Sequence, residues 1–337
     1  MKKHFALILA ATAVAAVAVA APPTPVFVKN INVGTACQAP VDVIAVAGDL
    51  YVLGFNDKKV AKVTTPVGTE GVSTWLDVSA ATTWGSGRGP QGIMFNNNEF
   101  YISGDNGVDG FIGVYNAAGV EQRKTNLAAN RVVCVASLDS DSLVAGRSNS
   151  SALIAINKAT LVDEATNSAL PDVGWRAPIR KIQVDTDGTI YYANTHTTAD
   201  PAGHKVGKAN PGATAGDLTQ YTFVQWFAPN ESQGSPATVG IEFFSKGGEN
   251  WVLSVNTGGF SGALPSIDFI NKATGVRDLK FNDATNFNGN IRGVTVANIG
   301  GTDYLFVANS ASPDAGAPNQ VHVYSLGAAS VADWSIY

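Results

Sequence analysis

The sequence predicts an all-β fold, a six-bladed β-propeller with four antiparallel strands in each blade. Three observations predict it. A short apolar strand, a tight turn and a second apolar strand ending in small or polar residues recur along the chain at a period near fifty residues. Charged residues make up 15% of the 337, and glycine accounts for 35 of them, whereas an average chain is about a quarter charged and about 7% glycine. The composition is not that of a coiled coil or long helical bundle, and 45% hydrophobic residues exclude a disordered acidic chain.

Taken in order, residues 1–20 read as a secretory signal and 21–337 as one propeller domain. Lys2, Lys3 and His4 form a basic start, Phe5 to Val19 an apolar run, and Ala18-Val19-Ala20 a cleavage site of small residues. Cleavage removes two lysines and takes the formal net charge from −5 to −7. No later segment is apolar enough for a membrane anchor. The expected location is therefore extracytoplasmic, periplasmic or extracellular, and an acidic chain there is a poor partner for nucleic acid.

The second strand of each unit begins at Leu50, Phe100, Leu143, Ile190, Trp251 and Leu305, with successive starts 50, 43, 47, 61 and 54 residues apart. Their partner strands are Val43 to Val46, Gly92 to Phe95, Val132 to Ala136, Lys181 to Val184, Gly240 to Phe244 and Gly293 to Ala297. Turn formers separate the two, from Gly48-Asp49 in the first unit to Gly300-Gly301 in the last. Third strands fall at Val60 to Val63, Phe111 to Tyr115, Ala152 to Ile156, His204 to Lys208, Ser266 to Ile270 and Val321 to Tyr324. Fourth strands fall at Ser73 to Val78, Gln122 to Asn126, Thr160 to Asp163, Thr222 to Phe227, Arg277 to Phe281 and Ala332 to Ile336. Such a sheet exposes two apolar faces, and stacking sheets in a closed ring buries both. Val26 to Asn32 reads as a further strand that could fasten the ring on the last blade; Ser330 to Tyr337 competes for that place.

The strands Asp49-Leu50-Tyr51-Val52, Thr189-Ile190-Tyr191-Tyr192-Ala193-Asn194 and Tyr304-Leu305-Phe306-Val307-Ala308-Asn309 resemble the repeated strand of NHL-type and gluconolactonase-like six-bladed propellers. The resemblance implies a metal at the channel, held by a Glu near the first blade's inlet and by Asn and Asp from other blades. Here Gln38 stands where the Glu is expected, and Pro178-Ile179-Arg180 and Pro236-Ala237-Thr238 lack the acid. A divalent cation prefers anionic oxygen, so calcium is disfavoured and no cofactor is expected. Asp42 could substitute for the missing acid, but is read as hydrogen-bonded within its own strand.

Two rings of loops carry candidate binding residues. The inlet loops, leading into the innermost strands, contain Arg88, Gln91, Arg131, Arg176, Arg180 and Arg292. Guanidinium groups gathered over a channel would focus field on a carboxylate, sulfate or phosphate; the same groups could instead pair with neighbouring acids. The outlet loops place Asn56, Asn106, Asn149 and His196 at one offset, six residues past the start of the second strand. Amides there could bind sugar hydroxyls, or cap their own turns. His196, with Tyr192 and Arg180 of the same blade, is the candidate set for proton transfer. Cys37 and Cys134 would be allowed a disulfide in an oxidising compartment, or act as buried thiols.

No nucleophile elbow, phosphate loop or dinucleotide fingerprint occurs. The leading expectation is a binding module for an anionic glycan or a protein partner at one channel mouth. A propeller enzyme of the lactonase or polysaccharide-lyase kind is the alternative, and a surface or filament subunit a further one.

Overall fold

A computed structural model describes residues 20–148, 150, 152–167, 179–194, 205–214, 216–227, 237–257, 264–287, 290–310 and 319–328. These residues form a six-bladed propeller of four-stranded antiparallel sheets. Strand β1 (Val26–Asn32) opens the chain. The first blade is β2 (Pro40–Val46), β3 (Asp49–Gly54), β4 (Lys59–Thr64) and β5 (Gly71–Asp77). The second is β6 (Gly89–Asn96), β7 (Glu99–Asp105), β8 (Gly110–Asn116) and β9 (Glu121–Leu127). The third is β10 (Val132–Ser137), β11 (Ser142–Arg147), β12 (Leu153–Asn157) and β13 (Asp163–Asn167). The fourth is β14 (Ile179–Val184), β15 (Ile190–Asn194), β16 (Lys205–Asn210) and β17 (Thr222–Phe227). The fifth is β18 (Ala237–Lys246), β19 (Glu249–Thr257), β20 (Ser266–Asn271) and β21 (Arg277–Phe281). The sixth is β22 (Asn290–Ile299), β23 (Thr302–Ser310) and β24 (Gln320–Ala328), with β1 as its outer strand.

The ring is thus fastened by the N-terminal strand. β1 pairs antiparallel with β24, from Val26 opposite Ser325 to Asn32 opposite Gln320. The buried imidazole of His322 holds the seam: its Nδ1 lies 2.6 Å from Asn30 Oδ1 and its Nε2 2.8 Å from Asn309 Nδ2. With Nδ1–H donating to Asn30 and Nε2 accepting from Asn309, both ring nitrogens are satisfied by the neutral form. The competing segment Ser330 to Tyr337 lies outside the described residues, as does most of the signal segment.

Six apolar clusters account for the core, one at each junction between neighbouring blades. The junction of the first and sixth blades, for example, packs Val43, Leu50 and Val52 against Phe306, Ala308 and Val323. Each of the valine, leucine and phenylalanine side chains, fully buried, contributes roughly 1.5–3 kcal/mol, which no blade could gain alone. Two-residue turns with positive φ at both positions join β6 to β7 (Asn97-Asn98) and β18 to β19 (Gly247-Gly248), the hairpin geometry that favours Asn and Gly.

One strand differs from expectation. Thr160 and Leu161 belong to a turn, and the outer strand of the third blade starts at Asp163. Asn157 Oδ1 accepts from the amides of Ala159 and Thr160, and Leu161 sits at φ 57°, so the chain reverses where apolar pattern alone suggested extension. Cys37 and Cys134 are free, buried thiols. They belong to different junctions, and burial pushes both up to about 12. Among the described residues, no helix is long and apolar enough to cross a membrane.

Candidate functional site

The innermost strands β2, β6, β10, β14, β18 and β22 surround the central channel, each against its neighbours on either side. All six carry an irregularity near their N-terminal ends, where the register slips opposite the second strand. A β-bulge leaves a residue unpaired and re-aims its side chain. The slipped residues are Val41, Gln91, Val133, Arg180 and Val239, with Arg292-Gly293 in the sixth blade. Arg180, Arg292 and Gln91 therefore belong to strands and not to the inlet loops. Together with Asp42 and Lys181 they line a narrow cavity of about 20 Å³ at the inlet end of the channel.

The residue that follows the first slipped residue is Gly92, Gly240 or Gly293 in three blades, and the next blade's backbone lies against it. A Cβ at Gly240 would sit 2.3 Å from the Arg292 carbonyl oxygen, and one at Gly293 2.4 Å from the Asp42 Cα. In the first and fourth blades the same position holds Asp42 and Lys181. Those blades face each other across the ring, and Lys181 Nζ meets Asp42 Oδ2 at 2.5 Å. Asp42 Oδ1 accepts from the Val43 amide, and Oδ2 also accepts from the Ile93 amide of the second blade. The expectation of a purely local role for Asp42 holds for one oxygen only; the other ties three blades together.

The predicted arginine ring divides in two. Arg88 and Arg131 pair with Asp105, whose side chain is fully buried. Arg131 donates through Nε and Nη2, and the carboxylate also accepts from Ser148 Oγ and the Gly107 amide. Burial works to raise the Asp105 pKa, but these donors outweigh it and hold the carboxyl below its usual range. Arg180 and Arg292 have no such partner: among the described residues no carboxylate lies within ion-pair distance of either. Arg180 Nη1 donates to Gln91 Oε1 at 2.7 Å, and the buried Arg292 Nε has no acceptor among the described residues. Burial, and then the nearby Arg292 charge, lower the Arg180 pKa to about 10; burial lowers that of Arg292.

Asn106 of the amide ring serves its own turn, its Oδ1 accepting from the amides of Val108 and Asp109, while Asn56 is exposed and its backbone carbonyl accepts from Lys58 Nζ. Tyr192 is fully buried in the junction of the third and fourth blades, edge-on to Phe223, and burial drives its hydroxyl pKa up. It lies in that core, whereas Arg180 lies at the channel. Arg176, Asn149 and His196 lie outside the described residues. Among the described residues, no three His, Cys, Asp or Glu side chains gather as a metal site would require.

Beyond the Lys181–Asp42 pair the channel widens into a chamber of about 740 Å³, opening on the hairpins between first and second strands. Sequence reading found neither this chamber nor the bulges, since both depend on strand register and blade closure.

No protein-family model matches this chain, and no curated protein matches it. Solved structures do. The PQQ-bound form of aldose sugar dehydrogenase from Streptomyces coelicolor is similar at a TM-score of 0.56 and 14% identity, over 90% of this chain and 99% of that one. The Malassezia sympodialis allergen Mala s 1 is similar at 0.60 and 13%, over 91% and 98%. Virginiamycin B lyase from Staphylococcus aureus is similar at 0.53 and 10%, over 88% and 98%. At these identities the likeness is one of fold, and it agrees with the six blades described above.

Proposed function

We propose that this chain is an extracytoplasmic binding propeller of the NHL or gluconolactonase-like kind, working without the metal, whose inlet mouth takes an anionic glycan. The observation that carries the reading is the pair Arg180 and Arg292, two partly buried cations that no carboxylate among the described residues pairs, in a chain of net negative charge. Their desolvation is already a cost in the free protein, so an incoming carboxylate or sulfate meets donors that give up little water. Gln91 fixes one guanidinium and offers an amide to a neighbouring hydroxyl. The small size of the cavity suits a single acidic group on a sugar chain better than a broad protein surface. The signal segment would deliver the protein to where such glycans occur, and N-terminal sequencing of exported protein checks that cleavage follows Ala20.

The binding test is calorimetry with acidic oligosaccharides, uronate or sulfated, against neutral ones of equal length. Saturable binding of the acidic series alone, lost in Arg180→Gln and Arg292→Gln proteins that melt normally, is the expected result. Equal binding of neutral sugars, or indifference to both substitutions, overturns the reading. A lactonase- or lyase-like enzyme is the second reading, and two enzymes among the structural neighbours favour it. It would rest on His196, Tyr192 and Arg180, and the burial of Tyr192 in the core counts against that set. Turnover that disappears in His196→Ala protein while binding persists would support it.

A further inference from the structure

We infer that the narrow inlet cavity is a halide site, holding one chloride ion against Arg180 and Arg292; resting on the glycan reading above, the same ion competes with an acidic sugar for that mouth. Size selects a monoatomic ion. The cavity measures about 20 Å³, little more than the ~10–15 Å³ that one water molecule needs. A chloride ion is slightly larger than water and fills such a space whole. A carboxylate or sulfate could insert one oxygen only.

Charge selects an anion over water. Among the described residues, the carboxylates that border the cavity or act on Arg180 are already taken. Asp42, in the cavity wall, meets Lys181 and accepts from the amides of Val43 and Ile93. Asp105 pairs with Arg88 and Arg131. Arg180 spends Nη1 on the neutral Gln91 Oε1, and the inaccessible Arg292 Nε has no acceptor among the described residues. The two guanidiniums feel each other: after burial, the Arg292 charge is the next cause that lowers the Arg180 pKa. Even at about 10, Arg180 keeps its proton at neutral pH. Two like charges, both partly withdrawn from water, are costly until an anion joins them. A water molecule supplies an acceptor but no charge. Guanidinium is weakly hydrated, and chloride is too, whereas fluoride holds its water tightly. Both arginines remain partly accessible, so the ion can exchange with solvent.

The test uses the full mature chain and sodium chloride, with sodium fluoride holding the ionic strength constant. Chlorine magnetic resonance line widths read binding directly. The expected result is broadening in proportion to protein, reversed by bromide and lost in Arg292→Gln protein. Val239→Phe, which fills the cavity from its wall, provides the same arm if that variant fails to fold. Melting temperature should rise when chloride replaces fluoride, and should not respond in either variant. Calorimetry should show the affinity for a uronate oligosaccharide falling about tenfold when chloride stands at about nine times its own dissociation constant. Absence of broadening, or broadening that survives in a folded variant, overturns the halide site; if the oligosaccharide still binds, the glycan reading stands without it. Broadening in a protein that binds no acidic sugar supports the halide site and removes the glycan reading. Sugar affinity indifferent to chloride overturns the competition.

Discussion

Lys181 and Asp42 form a salt bridge across the central channel, from the fourth blade to the first, with 2.5 Å between Nζ and Oδ2. Both side chains are nearly inaccessible, at 11% and 2%. Breaking a buried pair from one side strands the other charge. Lys181→Met should cost about 3–5 kcal/mol, read as a lower urea midpoint. The double variant with Asp42→Asn should recover part of that loss, since no bare charge remains; a double variant as unstable as the single would show that packing, not charge, dominates there.

Asp105 occupies Arg88 and Arg131 and so keeps them from the channel mouth. Asp105→Asn should destabilise the protein by about 3 kcal/mol, as loss of one partner from a buried pair does. It should also tighten the binding of acidic oligosaccharides and steepen its dependence on salt, because two more cations become free. Calorimetry at two ionic strengths reads both effects. Unchanged affinity would mean that the released guanidiniums point away from the ligand.

Two buried groups set opposite pH limits. Burial depresses His322 from 6.5 to about 4, despite the opposing charge of Asp283. Between those values the unfolded chain binds more protons than the native one, so stability falls as pH drops from 6.5 towards 4. At about 1.4 kcal/mol per unit the full swing is on the order of 3 kcal/mol. Glu242, raised from 4.5 to about 7, works the other way: its contribution is complete below pH 4.5 and is lost as pH rises through 7. Thermal melts across this range should show a flatter acid limb in His322→Gln protein and a flatter neutral limb in Glu242→Gln protein.

Gly293 lets the first blade's Asp42 approach to a distance that a Cβ would reduce to 2.4 Å from the Asp42 Cα. The obstacle is backbone and cannot swing aside. Gly293→Ala should therefore cost about 1–3 kcal/mol and, by shifting Asp42, weaken its bond to Lys181. Gly248→Ala is the control for added bulk, since a Cβ there would meet nothing within 4 Å, though its positive φ carries its own small strain. A Gly293→Ala protein more stable than this control would show that the blades can spread without loss.

Much of the architecture was legible in the order of residues. Apolar runs such as Leu50 to Leu53 and Trp251 to Ser254 mark second strands, and Gly247-Gly248 marks a hairpin, because burial and positive φ are local demands. The arginines at the inlet end were legible as a set. Their division was not: Asp105, a residue of another strand, takes Arg88 and Arg131, while bulges inside β14 and β22 hold Arg180 and Arg292.

The linear sequence by itself determined that the chain builds repeated four-stranded sheets, how many, and where each begins to within a few residues, since side-chain alternation and turn chemistry act between near neighbours. Tertiary structure alone decided that β1 closes the ring, that bulges turn Arg180 and Arg292 into the channel, and that Lys181 finds Asp42 across 139 residues. Those outcomes depend on the register between strands and on ring closure, which bring together groups whose spacing along the chain carries no trace of their meeting.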